Sequence, residues 1–185
     1  MNNADVIIIG GGASGLFASI QLAWQGYTVG VIEHMNIPGK KLLITGKGRC
    51  NVTNNSDVEN VMANIPRNSR FLYSALSRFA PEDTMAFFES LGVSLKTERG
   101  NRVFPVSDKA MDIADALVKY AKSSGVKIVS DTVDRLLINN NIDVTTIAKD
   151  DANEIPIILP APFFLTGFST ATPAHAIASP ALRGT

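Results

Sequence analysis

Six residues near the start of the chain have the types and spacing of a phosphate-binding turn. Three glycines there fit the pattern G-x-G-x-x-G. The first permits a tight turn, the second lets a pyrophosphate approach the backbone, and the third allows a helix to pack closely. The helix that follows presents free N–H groups that attract phosphate, so the turn predicts a dinucleotide site. The run reads Gly10-Gly11-Gly12-Ala13-Ser14-Gly15, and its predicted binding residues are Gly10, Gly12, Ala13, Ser14 and Gly15.

An acidic residue follows at the distance that such a turn requires. The apolar run Asp5–Ile9 predicts a strand buried on both faces, and Thr28–Ile32 predicts a second strand that leads into Glu33. Glu33 comes eighteen residues after Gly15, close to the expected separation of about 20. Its carboxylate can accept hydrogen bonds from both ribose hydroxyls and repels a 2′-phosphate, which excludes NADP but leaves FAD and NAD open. His34, directly after the acid, is either a cofactor contact or simply exposed.

A glycine-rich and basic segment, residues 34–54, follows the acid and shows little periodicity. Loops of this length inside a compact domain are usually functional. We predict that the segment runs along the pyrophosphate, with Gly48 freeing the backbone for close approach. Its predicted cofactor contacts are Lys40, Lys41, Gly48, Arg49, Cys50 and Asn51.

For several residues the sequence leaves two roles open. Cys50 is either a redox thiol facing a flavin or a small residue packed in a tight loop, and one cysteine cannot form an internal disulfide. Lys40 and Lys41 contact phosphate or are merely solvated, and Arg49 binds phosphate or orders the loop. Val133, at the start of a later strand, either touches adenine through its backbone or is an ordinary strand residue.

Two runs of the sequence carry a family resemblance. Pro38–Asn54 resembles the P-G-[KR]-K-x-L-x-[ST]-G-x-G-R-C-N-x-T-N hallmark of the bacterial flavoprotein family that includes BaiN-type and aminoacetone-oxidase-type proteins. Gly100–Ala110 resembles a second hallmark of that family, with an extra residue, Asn101, after the glycine. The resemblance covers residues 4–150.

This resemblance implies FAD as the cofactor, in an α/β, Rossmann-like, three-layer domain of the glutathione-reductase type. It implies a second, inserted domain in a longer chain and a redox reaction on a small organic substrate, with NAD(P)H as a candidate reductant. It also implies that Arg102 and Phe104 lie near the flavin. No catalytic residue can be named, which suits an enzyme whose cofactor carries the chemistry.

The composition argues against several classes of binding partner. Seventeen basic and seventeen acidic residues give no net charge, so we expect neither nucleic acid nor an anionic membrane surface as a partner. No run reaches the roughly 18 apolar residues of a spanning helix, so we expect no membrane insertion. One cysteine excludes a disulfide framework, and the expected location is the reducing cytoplasm. His34 and His175 lie far apart, so no metal site is predicted.

The sequence changes character after Asp151. Residues 1–150 predict an incomplete FAD-binding Rossmann-like domain, whereas 151–185 form a proline- and alanine-rich tail with only Asp151, Glu154 and Arg183 as charges. The tail departs from the family pattern, because Ile157–Leu159 leads into prolines where the family has a glycine turn. We expect a frameshift at about residue 152, and a chain that is not by itself a competent enzyme. Two further functions stay open: a truncated, non-catalytic product and an NAD-binding regulatory module.

Periodicity predicts the remaining elements. Five aromatic residues are predicted to pack in the core or between helices: Trp24, Phe71, Phe79, Phe87 and Phe88. Ser107 or Asp108 is predicted to cap a helix that runs to Ser123. The other predicted elements are a helix over 13–25, two or three helical pieces over 57–91, a hairpin of 94–97 with 102–104, a strand over 127–130, and paired strands over 133–138 and 143–148.

Overall fold

The computed structural model of the protein describes residues 4–138 and 142–147. The predicted tail over 151–185 and its proposed frameshift lie outside these residues. In chain order the elements are β1 (Val6–Ile9), α1 (Ala13–Trp24), β2 (Val29–Glu33), a 3₁₀ segment (Lys40–Gly48), β3 (Thr53–Asn54), α2 (Val58–Ala63), a second 3₁₀ helix (Ser69–Leu72), α3 (Tyr73–Leu76), α4 (Pro81–Ser90), β4 (Leu95–Glu98), β5 (Arg102–Pro105), α5 (Ala110–Ser123), β6 (Lys127–Ser130), β7 (Thr132–Ile138) and β8 (Ile142–Ile147).

A parallel sheet of β1, β2 and β6 forms the centre of the described chain, with β2 in the middle. All five residues of β2 are buried, as expected for a continuous apolar strand covered on both faces. Helix α1 connects β1 to β2 and buries Leu16, Ser19 and Ile20. The predicted βαβ unit is therefore present, and the carboxyl ends of its strands face the glycine turn.

Helix α5 packs on α1 and on the 3₁₀ segment that follows β2. The apolar face predicted for it is buried, and its members are Ala110, Ile113, Ala114, Leu117 and Ala121. The predicted cap is wrong: Lys109 occupies the N-cap position and its side chain makes no capping hydrogen bond. Asp108 instead has a left-handed φ of 57°, and its carboxylate accepts a hydrogen bond from Lys96 Nζ at 2.6 Å. Asp108 therefore pairs with Lys96 on β4 and does not cap α5.

A second, antiparallel sheet has the order β3–β5–β4 and includes the predicted hairpin. Its central strand, β5, buries Val103, Phe104 and Pro105. Strand β3 ends the basic segment, so this sheet holds one end of that segment. Strands β7 and β8 pair antiparallel, as predicted.

An aromatic cluster joins three helices. The ring centroid of Phe87 on α4 lies 5.3 Å from that of Phe17 on α1 and 6.0 Å from that of Tyr120 on α5, both edge to face. Trp24 packs edge to face on Phe87. The predicted core or helix packing of Phe71 is wrong, because that side chain is 83% exposed on the short 3₁₀ helix that interrupts the helical period. The phenylalanines confirmed in the core or packed against it are Phe79, Phe87 and Phe88.

Removing the cap of α4 tests one local determinant of this packing. Asp83 Oδ2 accepts a hydrogen bond from Ala80 N at 2.7 Å, and Pro81 occupies the first helical position. We expect Asp83→Ala to lower the free energy of unfolding by about 1 kcal/mol in urea denaturation. The control is Glu82→Ala in the same turn, which changes only the interaction with the helix dipole, about 0.3–1 kcal/mol. Equal losses in the two variants would contradict the capping role.

No helix within residues 4–138 is both long enough and apolar enough to cross a bilayer.

Candidate functional site

The glycine turn joins β1 to α1 in the predicted geometry. Gly10 has a φ of +100°, which favours glycine, and its N–H donates to the carbonyl oxygen of Ile32 at 2.8 Å. A Cβ on Gly15 would lie 2.0 Å from the carbonyl oxygen of Gly10, so only glycine lets the helix pack this close to the turn. The fold therefore requires glycine at both positions, whether or not a ligand is bound.

Gly12 differs from its neighbours because nothing in the chain requires it to be glycine. Its φ of −75° and ψ of −176° are open to any residue, and a Cβ there would meet no atom within 4 Å. The position precedes the first turn of α1, where backbone N–H groups lack helical partners. This open space beside free donors is the kind of cradle that a pyrophosphate fills.

Glu33 lies against the same turn. Its side chain is buried, Oε2 accepts a hydrogen bond from Gly11 N at 2.6 Å, and Oε1 accepts one from Met35 N at 2.8 Å. His34 Nδ1 lies 3.2 Å from Oε1, but the imidazole is 65% exposed. A carboxylate has about four lone-pair positions, so Glu33 keeps acceptor capacity for a diol. A Cβ on Gly11 would lie 3.2 Å from Oε2, so glycine at this position leaves room for the carboxylate of Glu33. The motif alone did not reveal this role.

The basic segment is tied directly to the glycine turn. Gly39 N donates to the carbonyl oxygen of Gly11 at 2.7 Å, and the 3₁₀ segment begins at the next residue. Lys40 and Lys41 follow this contact and are exposed. Both lysines thus lie within two residues of Gly39, the residue bonded to the glycine turn, as the predicted phosphate contact requires.

The end of the segment is a turn with several left-handed residues, which we call the 46–50 turn. Its φ angles are +54° at Gly46, +59° at Lys47, +84° at Gly48 and +60° at Cys50. Cys50 N donates to the carbonyl oxygen of Thr45 at 3.1 Å, which closes the turn. Left-handed backbone at non-glycine residues is costly, so the surrounding structure must hold the turn in place.

Cys50 is packed in the core. It is 2% exposed, and burial raises the pKa of its thiol, against a smaller opposing effect of its hydrogen bond with Thr45. Since the thiolate is the reactive form, this environment favours the packing role over the redox role.

The reactivity of Cys50 gives a direct test of that environment. We expect the folded protein to react with a disulfide reagent at least about tenfold more slowly than it does in urea, because the thiol is buried and protonated. The measurement is the rate of thiol release by absorbance, with free cysteine as the reference. A rate in the folded protein equal to that of free cysteine would restore the redox alternative.

Arg49 and Asn51 make their polar contacts within the protein. Arg49 Nη1 lies 2.8 Å from Glu98 Oε1 and 3.3 Å from Asp108 Oδ1. The side-chain amide of Asn51 lies 3.0 Å from the carbonyl oxygen of Thr53 and 3.2 Å from that of Val103, and it donates to both. The structure therefore joins these two predicted cofactor contacts to the second sheet.

Val133 lies just beyond the strand that neighbours Glu33. Ser130 pairs with Glu33, and Asp131 N donates to the carbonyl oxygen of Glu33 at 3.0 Å. Val133 is the second residue of β7, half-buried, and pairs with Thr146. The backbone of β7 thus starts beside the end of β2 that carries the acid.

The sequence interpretation missed the carboxylates that hold Arg49. Lys96 Nζ lies 2.6 Å from Asp108 Oδ2 and 3.6 Å from Glu98 Oε1, and its ammonium group keeps the pKa of Asp108 below the ordinary value. Lys96 and Glu98 are two residues apart in a strand, so they lie on the same face. The alternation of side chains along the predicted strand could have indicated that these two charges are neighbours. Within the described residues, no group of three or more potential metal ligands is present.

Several known proteins are similar to this chain in sequence. The family described as HI0933-like protein Rossmann domain matches residues 4–158. A 3-dehydro-bile acid delta(4,6)-reductase of Clostridium scindens is 37% identical over 123 residues, which cover 65% of this chain and 29% of the relative. A ribosomal RNA dihydrouridine synthase of Escherichia coli is 36% identical over 126 residues, which cover 68% of this chain and 31% of the relative. The chain thus spans about a third or less of the length of these relatives.

Solved structures agree on the fold. A 3-ketosteroid-delta4-(5alpha)-dehydrogenase of Rhodococcus jostii RHA1 superposes with a TM-score of 0.57 at 16% identity, covering 84% of this chain and 44% of that one. THI4 of Thermovibrio ammonificans gives 0.54 at 17% identity, covering 83% and 54%. The predicted Rossmann-type α/β fold is confirmed.

Proposed function

Since this chain belongs to the HI0933-like Rossmann-domain family, one of FAD-dependent oxidoreductases, we propose that it is the FAD-binding portion of a flavin-dependent oxidoreductase. The observation that carries the proposal is the buried Glu33 bonded to Gly11, beside the open space at Gly12. When bound, FAD supplies hydride transfer, and the protein supplies binding and orientation.

Several of the predicted site residues then have a task. The backbone N–H groups at the start of α1, at Ala13 and Ser14, bind the pyrophosphate, and Glu33 accepts hydrogen bonds from the ribose hydroxyls. Lys40 and Lys41 neutralise phosphate charge. The 46–50 turn forms part of the wall on the flavin side, and the backbone of Val133 borders adenine.

For the reaction we propose reduction of a small organic substrate with NAD(P)H as the source of the hydride. The name of the Clostridium scindens relative describes a reductase, and that of the Escherichia coli relative describes formation of a dihydro compound. Both names imply addition of hydrogen. The single cysteine suits the reducing cytoplasm, where we place this activity.

The purified chain tests the cofactor directly. We expect it to carry FAD, seen as the visible absorption bands of a flavin. Heating should release a compound that chromatography identifies as FAD rather than FMN or NAD. A chain without flavin should take up FAD in a titration, and NADP should not compete for that site, because Glu33 repels a 2′-phosphate. Binding of NAD without binding of FAD would instead support the regulatory-module alternative. Bound FAD that neither NADH nor NADPH reduces would support the non-catalytic alternative.

RNA is a second candidate substrate, favoured by one surface. Phe71 is 83% exposed, Arg67 and Arg70 precede it in the chain, and no acidic residue lies between Glu59 and Glu82. Exposed aromatic rings next to arginines suit unpaired bases and phosphates. Two ribosomal RNA dihydrouridine synthases, of Escherichia coli and Haemophilus influenzae, are among the relatives.

Anisotropy of a labelled single-stranded RNA tests this candidate. We expect Arg67→Ala/Arg70→Ala to weaken binding about tenfold and to reduce its salt dependence. The matched control is Lys119→Ala/Lys122→Ala on α5, which removes two charges elsewhere. RNA binding that is absent, or equally weak in both double variants, would leave the small substrate as the only proposal.

A further inference from the structure

Arg49, in the 46–50 turn, contacts charged side chains and one aromatic ring from other segments. We call Arg49, Lys96, Glu98 and Asp108 the Arg49 cluster. Arg49 Nη1 bridges the two carboxylates at 2.8 and 3.3 Å, and Lys96 Nζ bridges the same two at 3.6 and 2.6 Å. The Arg49 guanidinium carbon also lies 4.0 Å from the ring centroid of Phe104, which is buried in β5.

The cluster joins three separate segments. Arg49 belongs to the turn, Lys96 and Glu98 to β4, and Asp108 to the loop before α5. Asp108 itself has a left-handed φ of 57°, so the backbone on both sides of the cluster is held in a costly conformation. A partly exposed ion pair adds little stability by itself, so these contacts matter chiefly for the conformation of the turn.

The same contacts bear on whether Arg49 can bind phosphate. Its charge is matched by two carboxylates, and its planar face rests on Phe104. A guanidinium that turned towards a phosphate would leave Glu98 and Asp108 with only Lys96 as a counter-charge. Binding phosphate through Arg49 would therefore break the cluster.

We propose that Arg49 is a positioning residue: anchored by Glu98, Asp108 and Phe104, it fixes the 46–50 turn as a wall of the flavin site and does not bind phosphate. The turn's place at the flavin rests on the proposed function, whereas the restraint itself rests on the contacts alone. Arg49 acts through the turn, since its neighbour Cys50 is buried in the core with a left-handed φ.

Variants of the partners separate the two roles of Arg49. If Arg49 binds phosphate, Glu98→Gln/Asp108→Asn frees the guanidinium and leaves FAD affinity unchanged or higher. If Arg49 positions the turn, the same double variant weakens FAD binding about tenfold, as Arg49→Met does. Combining all three substitutions then adds little, because the side chains act together. Arg49→Lys is expected to recover only part of the affinity, since lysine lacks the planar stacking and fork geometry.

Hydrogen exchange gives a readout that needs no flavin. In the chain without cofactor, we expect faster exchange of the Cys50 amide, which donates to Thr45, in Arg49→Met and in Glu98→Gln/Asp108→Asn. The matched control is Asp115→Asn on the exposed face of α5, which should change neither exchange nor FAD affinity. Unchanged exchange in both cluster variants would overturn the restraint. Faster exchange in the cluster variants, together with a wild-type chain that binds no FAD, would support the restraint and refute the proposed function. FAD loss only in Arg49→Met would establish the phosphate role instead.

Discussion

Replacing Gly12 by valine is expected to abolish FAD binding while the protein stays folded. The backbone at Gly12 is extended, a conformation that valine adopts readily, and a Cβ there meets no protein atom within 4 Å. The added methyl groups would instead occupy the space assigned to the pyrophosphate. We expect affinity to fall at least about a hundredfold, a loss of about 3 kcal/mol or more.

Gly15 provides the contrasting variant within the same motif. A Cβ on Gly15 would lie 2.0 Å from a backbone oxygen, so Gly15→Ala should lower the thermal midpoint strongly before any cofactor is added. Gly12→Val should leave that midpoint unchanged within a few degrees. FAD titration and thermal unfolding of both variants separate a ligand effect from a folding effect. If Gly12→Val still purifies with one FAD per chain, the glycine turn does not bind the pyrophosphate as proposed.

Local patterns predicted the elements that hold the site. Strands β1 and β2, the turn between them and the position of Glu33 follow from apolar runs, glycine spacing and one acid, all within about thirty residues. The apolar face of α5 follows from its period in the same way. These features are encoded by neighbours in sequence, so one chain suffices to infer them.

Contacts between distant residues were not predictable in the same way. Arg49 meets Glu98 and Asp108 only after the hairpin has folded onto the turn, and Asp108 is thereby lost as a helix cap. Phe71 has the residue type of a core position but lies on a short 3₁₀ helix that faces solvent. Tertiary contacts thus decide the roles of Arg49 and Asp108, whereas the 3₁₀ geometry decides the exposure of Phe71, and residue type alone predicted neither.

Replacing Glu33 by glutamine is expected to weaken FAD binding far more than it destabilises the fold. The two carboxylate oxygens accept hydrogen bonds from Gly11 N and Met35 N. Glutamine offers one acceptor oxygen, so one of these N–H groups faces an NH₂ donor, at a cost of about 1–3 kcal/mol in stability. The ribose loses in addition its charge-assisted hydrogen bonds, about 1.5–3 kcal/mol each, so FAD affinity should fall about tenfold to a hundredfold per bond.

Asp5 offers a matched control at the opposite end of the same strands. Its carboxylate Oδ2 accepts hydrogen bonds from Thr28 N at 2.7 Å and Thr28 Oγ1 at 2.6 Å, so Asp5→Asn also loses a strand-linking carboxylate. Ligands of parallel sheets bind at the carboxyl ends of the strands, whereas Asp5 precedes β1. We therefore expect Asp5→Asn to lower stability modestly and to leave FAD affinity unchanged, with both variants measured by urea unfolding without cofactor and by FAD titration. Equal affinities in the two variants would mean that Glu33 supports only the turn and that the ribose is bound elsewhere.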